Sequence, residues 1–224
     1  MLRLRFLLPL LSVLLVGWLA ACRSVGTEPT APDTLTFSGP ISTTLKVGET
    51  LPGTDIQYLG LNEEQGAEVI IGGMHAFKRT ADSMFWKGSP VPGIVIDLKQ
   101  RILKYDAQSL SMAGTVAITV EHVQPQTVAA IADTRVRFRI PVAYALSVGD
   151  TVPGTLLKLE EIDAGSAAVI SGVPQKEDPY HLADSVHWMG SLRDKVFADY
   201  NLRIAFIGED SVRLAGFVDI LLVP

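Results

Sequence analysis

The chain repeats itself, and the repeat constrains its fold more than any other feature. LKVGETLPGT at 45–54 returns as LSVGDTVPGT at 146–155, and ADSMFWKGS at 81–89 returns as ADSVHWMGS at 183–191. Phe37 and Pro40 stand before the first copy of this pattern as Phe138 and Pro141 stand before the second. Asp97, Arg101 and Ile102 return as Asp199, Arg203 and Ile204, and Ala113-Gly114 as Ala215-Gly216. The offset stays at 101 or 102 residues, so the correspondence is collinear and one structural unit is built twice. The copies run over 35–123 and 136–224. The linker between them, 124–135, has Pro125 near its start and room for a short helical turn.

Each copy reads as all-β. Leu110, Met112, Gly114, Val116, Ile118 and Val120 alternate with Ser111, Ala113, Thr115, Ala117 and Thr119, the period of a strand with one buried face. Val212, Leu214, Gly216, Val218, Ile220 and Leu222 match the first series position for position. Before them Val196, Ala198, Tyr200, Leu202, Ile204 and Phe206 form one apolar face. DAQS (106–109) and GEDS (208–211) supply hairpin turns. Pro52-Gly53 and Pro153-Gly154 set a further turn, with Pro fixing φ and Gly accepting a positive one. Gly114 and Gly216 on an inward face point to a bulge or to a close backbone approach. The expected fold is two tandem antiparallel β modules of about six strands each, small sandwiches or partly open barrels. Copies of nearly 90 residues are large enough to fold alone. One continuous β structure with pseudo-twofold symmetry is the alternative.

The first 22 residues, MLRLRFLLPLLSVLLVGWLAAC, have a different character. Arg3 and Arg5 precede about 14 apolar residues, the length of a signal-peptide hydrophobic region and short for a membrane-spanning helix. Leu19-Ala20-Ala21-Cys22 follows, and Cys22 is the chain's single cysteine. This segment resembles the lipobox signal of bacterial lipoproteins. The resemblance implies cleavage after residue 21, a diacylglyceryl group on the Cys22 thiol, and residence in the cell envelope outside the cytoplasm. It leaves open the outer membrane or the outer face of the plasma membrane, although Arg23 differs from the aspartate linked to inner-membrane retention. Residues 22–34 then serve as a polar tether carrying Pro29 and Pro32, with a reach of roughly 40 Å. Loss of residues 1–21 removes Arg3 and Arg5, leaving 17 Lys+Arg against 24 Asp+Glu, a formal charge of −7. An acidic chain without a basic stripe is a poor partner for nucleic acid. The expected partners are the membrane, through the lipid, and either an envelope protein or a small apolar ligand.

Residues kept between the copies are mostly Gly, Pro, Thr, Ala, Trp and apolar strand positions, which turns and cores require. Trp86 and Trp188 would serve as sugar-stacking platforms if exposed and as core residues if buried. Asp82 and Asp184, each followed by Ser, read as turn residues, with a paired-carboxylate hydrolase as the competing reading. Asp97 and Arg101, like Asp199 and Arg203, lie about 13 Å apart along a strand and need partners on other strands. The segment DPYHLADSVH (178–187) gathers Asp178, His181, Asp184 and His187, but its spacing matches no zinc pattern. Tyr180, His181 and His187 are therefore candidate ligand-binding residues of the second copy. No metal, cofactor or catalytic motif is expected, and the reading is of a non-enzymatic protein.

Overall fold

The computed structural model describes residues 33–131, 134, 136–163, 166–173 and 179–223. The signal segment 1–21, Cys22 and the tether as far as Pro32 lie outside the described residues. The described chain is all-β, with no helix, and the described residues form one compact unit.

The first copy contains β1 (Leu35–Lys46), β2 (Gln57–Asn62), β3 (Gly66–Ile71), β4 (Met74–Lys78), β5 (Ser83–Gly88), β6 (Ile94–Tyr105) and β7 (Ser109–Val120). A two-residue strand, β8 (Gln126–Thr127), stands in the linker where sequence allowed a helical turn. The second copy contains β9 (Val136–Ser147), β10 (Lys158–Asp163), β11 (Ala167–Ser171), β12 (Ser185–Arg193), β13 (Val196–Ile207) and β14 (Ser211–Leu222). Every pairing is antiparallel. The first copy has a sheet ordered β1-β7-β6-β5 and a smaller one ordered β2-β3-β4. The second has β8-β12-β13-β14-β9 and β10-β11.

Local chemistry explains these elements. In LPGT and VPGT, Thr54 N–H donates to the Leu51 carbonyl (3.0 Å) and Thr155 N–H to the Val152 carbonyl (3.1 Å). Gly53 and Gly154 sit at φ of 78° and 76°, as a type II turn requires at its third residue. The threonine hydroxyls reinforce the turn by donating back to the same carbonyls, at 2.9 Å in both copies. β5 stops at Gly88 because Pro90 and Pro92 follow, and neither can donate to a ladder. The aligned Leu192 and Asp194 carry no such restriction, so β12 continues to Arg193, and its free edge pairs with β8. One inward series is corrected: Phe206 is 49% exposed. A bulge between Ile204 and Phe206, matched by one between Ile102 and Lys104, reverses the alternation at that point.

Strand pairing stays within each copy, apart from the linker strand, but side-chain packing does not. The buried cluster runs through both copies. Edge strands β1 and β9 lie against each other without forming a ladder, and a Cβ on Gly39 would come within 2.9 Å of Ile140 and 3.0 Å of Pro141. Pro40 and Pro141 on these edges fit strands that do not donate along their whole length. Phe37 of the first copy meets Tyr200 of the second edge-on, at 6.3 Å between ring centroids. Arg193 also reaches from the second copy into the first, donating to the Glu121 carbonyl at 2.7 Å.

Tyr200 is completely buried; it touches Trp188 (5.8 Å) and Tyr144 (6.5 Å) and donates its hydroxyl to the Pro153 carbonyl (2.8 Å). Burial pushes the Tyr144 phenol up to about 12, and Tyr200 well above its ordinary value. A raised folded value contributes stability that is fully present below the unfolded value near 10 and is lost as pH rises towards the folded one. Stability should therefore fall from pH 10 upward, by about 1.4 kcal/mol per tyrosine for each pH unit in which that group ionises only in the unfolded chain. Urea unfolding at pH 8, 10 and 11 should show this fall, with a shallower one in Tyr144→Phe. Equal slopes in the two proteins would remove Tyr144 as the cause.

Candidate functional site

The residues shared by the two copies serve their turns. Asp82 accepts the Arg79 N–H and Asp184 the His181 N–H, both at 2.7 Å. Ala81 and Ala183, at φ of 72° and 71°, are held in the left-handed region by the strands beneath them. Their N–H groups donate to Ile102 and Ile204, and their carbonyls accept from the Arg101 (2.9 Å) and Arg203 (3.2 Å) guanidiniums. The two arginines thus fasten a strained turn instead of forming the cross-strand ion pairs that the sequence suggested. Asp97 lies 3.3 Å from Lys99, and Asp199 lies 2.7 Å from His187. Asp82 and Asp184 each act within their own copy.

Trp188 is completely buried and offers no stacking face; Trp86 is half-buried and packs against the core. Tyr180 is a correction as well. It is 3% exposed, and its backbone pairs with Ala168 in both directions, so its ring belongs to the interior and not to a recognition loop. His181 and His187 are exposed but turn to different carboxylates, Asp184 (3.9 Å) and Asp199 (2.7 Å). Asp178 lies outside the described residues. Among the described residues no group of three or more His, Cys, Asp or Glu side chains is placed to hold a metal.

The notable chemistry lies where the copies diverge. On the outer face of the second copy's large sheet, register places Arg139 opposite Asp219 and Asp219 opposite Asp199. Arg139 donates to both Asp219 oxygens, Nε at 2.9 Å and Nη2 at 2.8 Å, the bidentate fit of guanidinium to carboxylate. Asp219 is 2% exposed, whereas the Arg139 side chain is 63% exposed and lies over the Phe217 ring at 5.9 Å. Hydrogen bonding to Asp219, and then its charge, raise the Arg139 guanidinium above its ordinary value. Arg137, two residues along the same strand face, comes only to 3.7 Å of Asp219. One carboxylate therefore faces two guanidiniums, and Arg139 already occupies both its oxygens. The positions aligned with Arg137, Arg139 and Asp219 in the first copy are Thr36, Ser38 and Ala117.

These residues border an open groove of about 590 Å³ between the copies. Its other wall is Pro40–Thr43 of β1 with Leu51 and Pro52. The volume falls within the range of small-ligand sites. Charged donors and hydroxyls around a partly apolar wall can orient a polar anion. The one acid beside them has both oxygens engaged and is poorly placed to move protons.

No family, curated protein or solved structure matches this chain. The groove is defined by its own geometry. Attention to residues retained in both copies passes over it, because none of its charges is repeated. The signal available in the sequence was a lone acid in the apolar run GFVDILLVP (216–224), with RVRFR (135–139) able to meet it once β9 and β14 are set in register.

Proposed function

We propose that this chain is a cell-envelope lipoprotein, anchored to a membrane through lipid on Cys22, whose two β modules have a non-catalytic binding or structural role outside the cytoplasm. The observation that carries the reading is Cys22 itself, the only cysteine, placed directly after Leu19-Ala20-Ala21 and a signal-length apolar stretch. Two further features support it. Asp82, Asp184, Arg101 and Arg203, which both copies retain, have structural hydrogen bonds. The interior is filled with large side chains, among them Trp188, Tyr58, Tyr200 and Met84, where a carrier of apolar ligands would need space. Among the described residues no helix is long and apolar enough to cross a membrane.

The test is metabolic labelling of the full-length chain with an alkyne fatty acid in a bacterial host, followed by fractionation. Wild type should carry the label and sediment with membranes, whereas Cys22→Ala should be unlabelled and retain its signal segment. An unlabelled wild type, or a labelled Cys22→Ala, would overturn the proposal.

A further inference from the structure

We propose that the groove between β1 and β9 is a binding site for a small acidic sugar, with Arg137 receiving the anionic group. This inference deepens the binding reading and rests on it. Fatty-acid labelling of Cys22 does not depend on groove occupancy, so the two proposals fail separately.

Three observations support the site. The first is charge. Arg139 donates to both Asp219 oxygens, and Arg137, with half its side chain exposed, stands 3.7 Å from the same carboxylate, so two guanidiniums share the one acid among the residues lining the groove. A guanidinium held beside a fixed Arg–Asp pair is a planar, oriented donor for carboxylate or phosphate.

The second observation is the contrast between the copies. The repeat places Tyr144 at the position of Thr43, and Tyr144 packs its ring near Tyr200. The first copy has a short hydroxyl there, and Thr43 lines the groove. The second copy fills this position with an aromatic ring, while the first leaves room and a polar atom. The arginines and the space thus occur together at one of two pseudo-equivalent places.

The third observation is an unmet hydrogen-bond requirement behind the groove wall. Gln100 is 1% exposed, and its Nε2 donates to Thr43 Oγ1 at 3.2 Å. Its Oε1 is buried with no partner. A buried amide oxygen left unpaired costs roughly 1–3 kcal/mol, so this polar pair is costly as core and consistent with a polar boundary beside a ligand. Accepting the Gln100 N–H leaves the Thr43 hydroxyl free to donate, and Ser42, on the opposite face of β1, also borders the groove. Ring hydroxyls are suited to these groups, and the apolar faces of Pro40 and Leu51 suit the ring itself.

The source of the negative charge, a uronic acid or a sugar phosphate, is what the experiment resolves. The detergent-purified full-length protein is titrated with D-glucuronate, glucose 6-phosphate and glucose, and binding is read by calorimetry at low and high salt. Saturable binding of at least one acid, weakened by salt and at least tenfold tighter than glucose, is expected. The tighter of the two acids identifies the anionic group. Arg137→Gln should lose at least tenfold in affinity, and Thr43→Tyr, which closes the space as the second copy does, should abolish binding. Thermal unfolding of both variants checks that the fold is kept; Arg137 is exposed, so its variant tests the site even if Thr43→Tyr does not fold. Binding of neither acid, glucose bound as tightly as the acids, or a folded Arg137→Gln with wild-type affinity would overturn the proposal.

Discussion

Trp188→Ala should destabilise the protein by about 3–5 kcal/mol, whereas Trp86→Ala should cost about 1–2 kcal/mol. The two tryptophans have the same place in the repeat, but Trp188 is completely buried and touches Tyr200, while Trp86 is half-buried. The first change leaves a large cavity beside Tyr200. The second mainly uncovers surface that is already partly wet. Each indole lies over the glycine two residues on: a Cβ at Gly190 would come within 2.2 Å of the Trp188 ring, and one at Gly88 within 2.4 Å of Trp86. This contact explains why W-x-G is kept as a unit. The Trp188 Nε1 has no hydrogen-bond partner, so Trp188→Phe, which removes that buried donor, should be much milder than alanine. Urea midpoints for the three variants decide the matter. Equal losses for Trp188→Ala and Trp86→Ala would mean that the copies do not differ in burial as described.

The all-β class was legible because its strands have one dry face. The alternation over 110–120 is the burial alternation of β7, that of β14 holds as far as Phe217 before 218–222 is buried on both faces, and the turns at 52–54 and 153–155 are those that Pro-Gly dictates. The small sheet of β2, β3 and β4 was harder to locate, since only Tyr58, Ala67 and Val69 of its strands are fully buried. Phe206 misled because a bulge adds one residue to β13 without leaving a mark in hydropathy. Tyr180 misled because polar neighbours on both sides suggested a loop, whereas its backbone is paired and its ring is inside. The groove was illegible for another reason. Arg139 and Asp219 stand 80 residues apart, and only the register of β9 on β14 brings them together. Comparing the copies for what they share finds the architecture. Comparing them for where they differ finds the charges.

The glycines in the middle of the large sheets lead to the second large effect. Sequence left two readings for Gly114 and Gly216, a bulge or a close approach, and the structure selects the latter, because the ladders are regular there and the bulges lie elsewhere. A Cβ at Gly216 would stand 2.1 Å from the Asn201 carbonyl oxygen and 2.9 Å from Leu202 Cα. At Gly114 the corresponding distances are 2.0 Å to the Lys99 oxygen and 2.6 Å to Gln100 Cα. The obstacle in each case is the backbone of the neighbouring strand, which cannot rotate aside as a side chain can. Gly216→Ala and Gly114→Ala should therefore each cost about 3 kcal/mol, the upper part of the overpacking range, since relief requires two paired strands to separate. Gly149→Ala is the control. Nothing lies within 4 Å of a Cβ there, and only its φ of 93° opposes the change, at a cost of about 1–2 kcal/mol. Denaturant unfolding of the three alanine variants should rank the two sheet glycines well above Gly149. If Gly149→Ala proved as damaging as Gly216→Ala, turn conformation and not strand-to-strand approach would be the reason glycine recurs in the repeat.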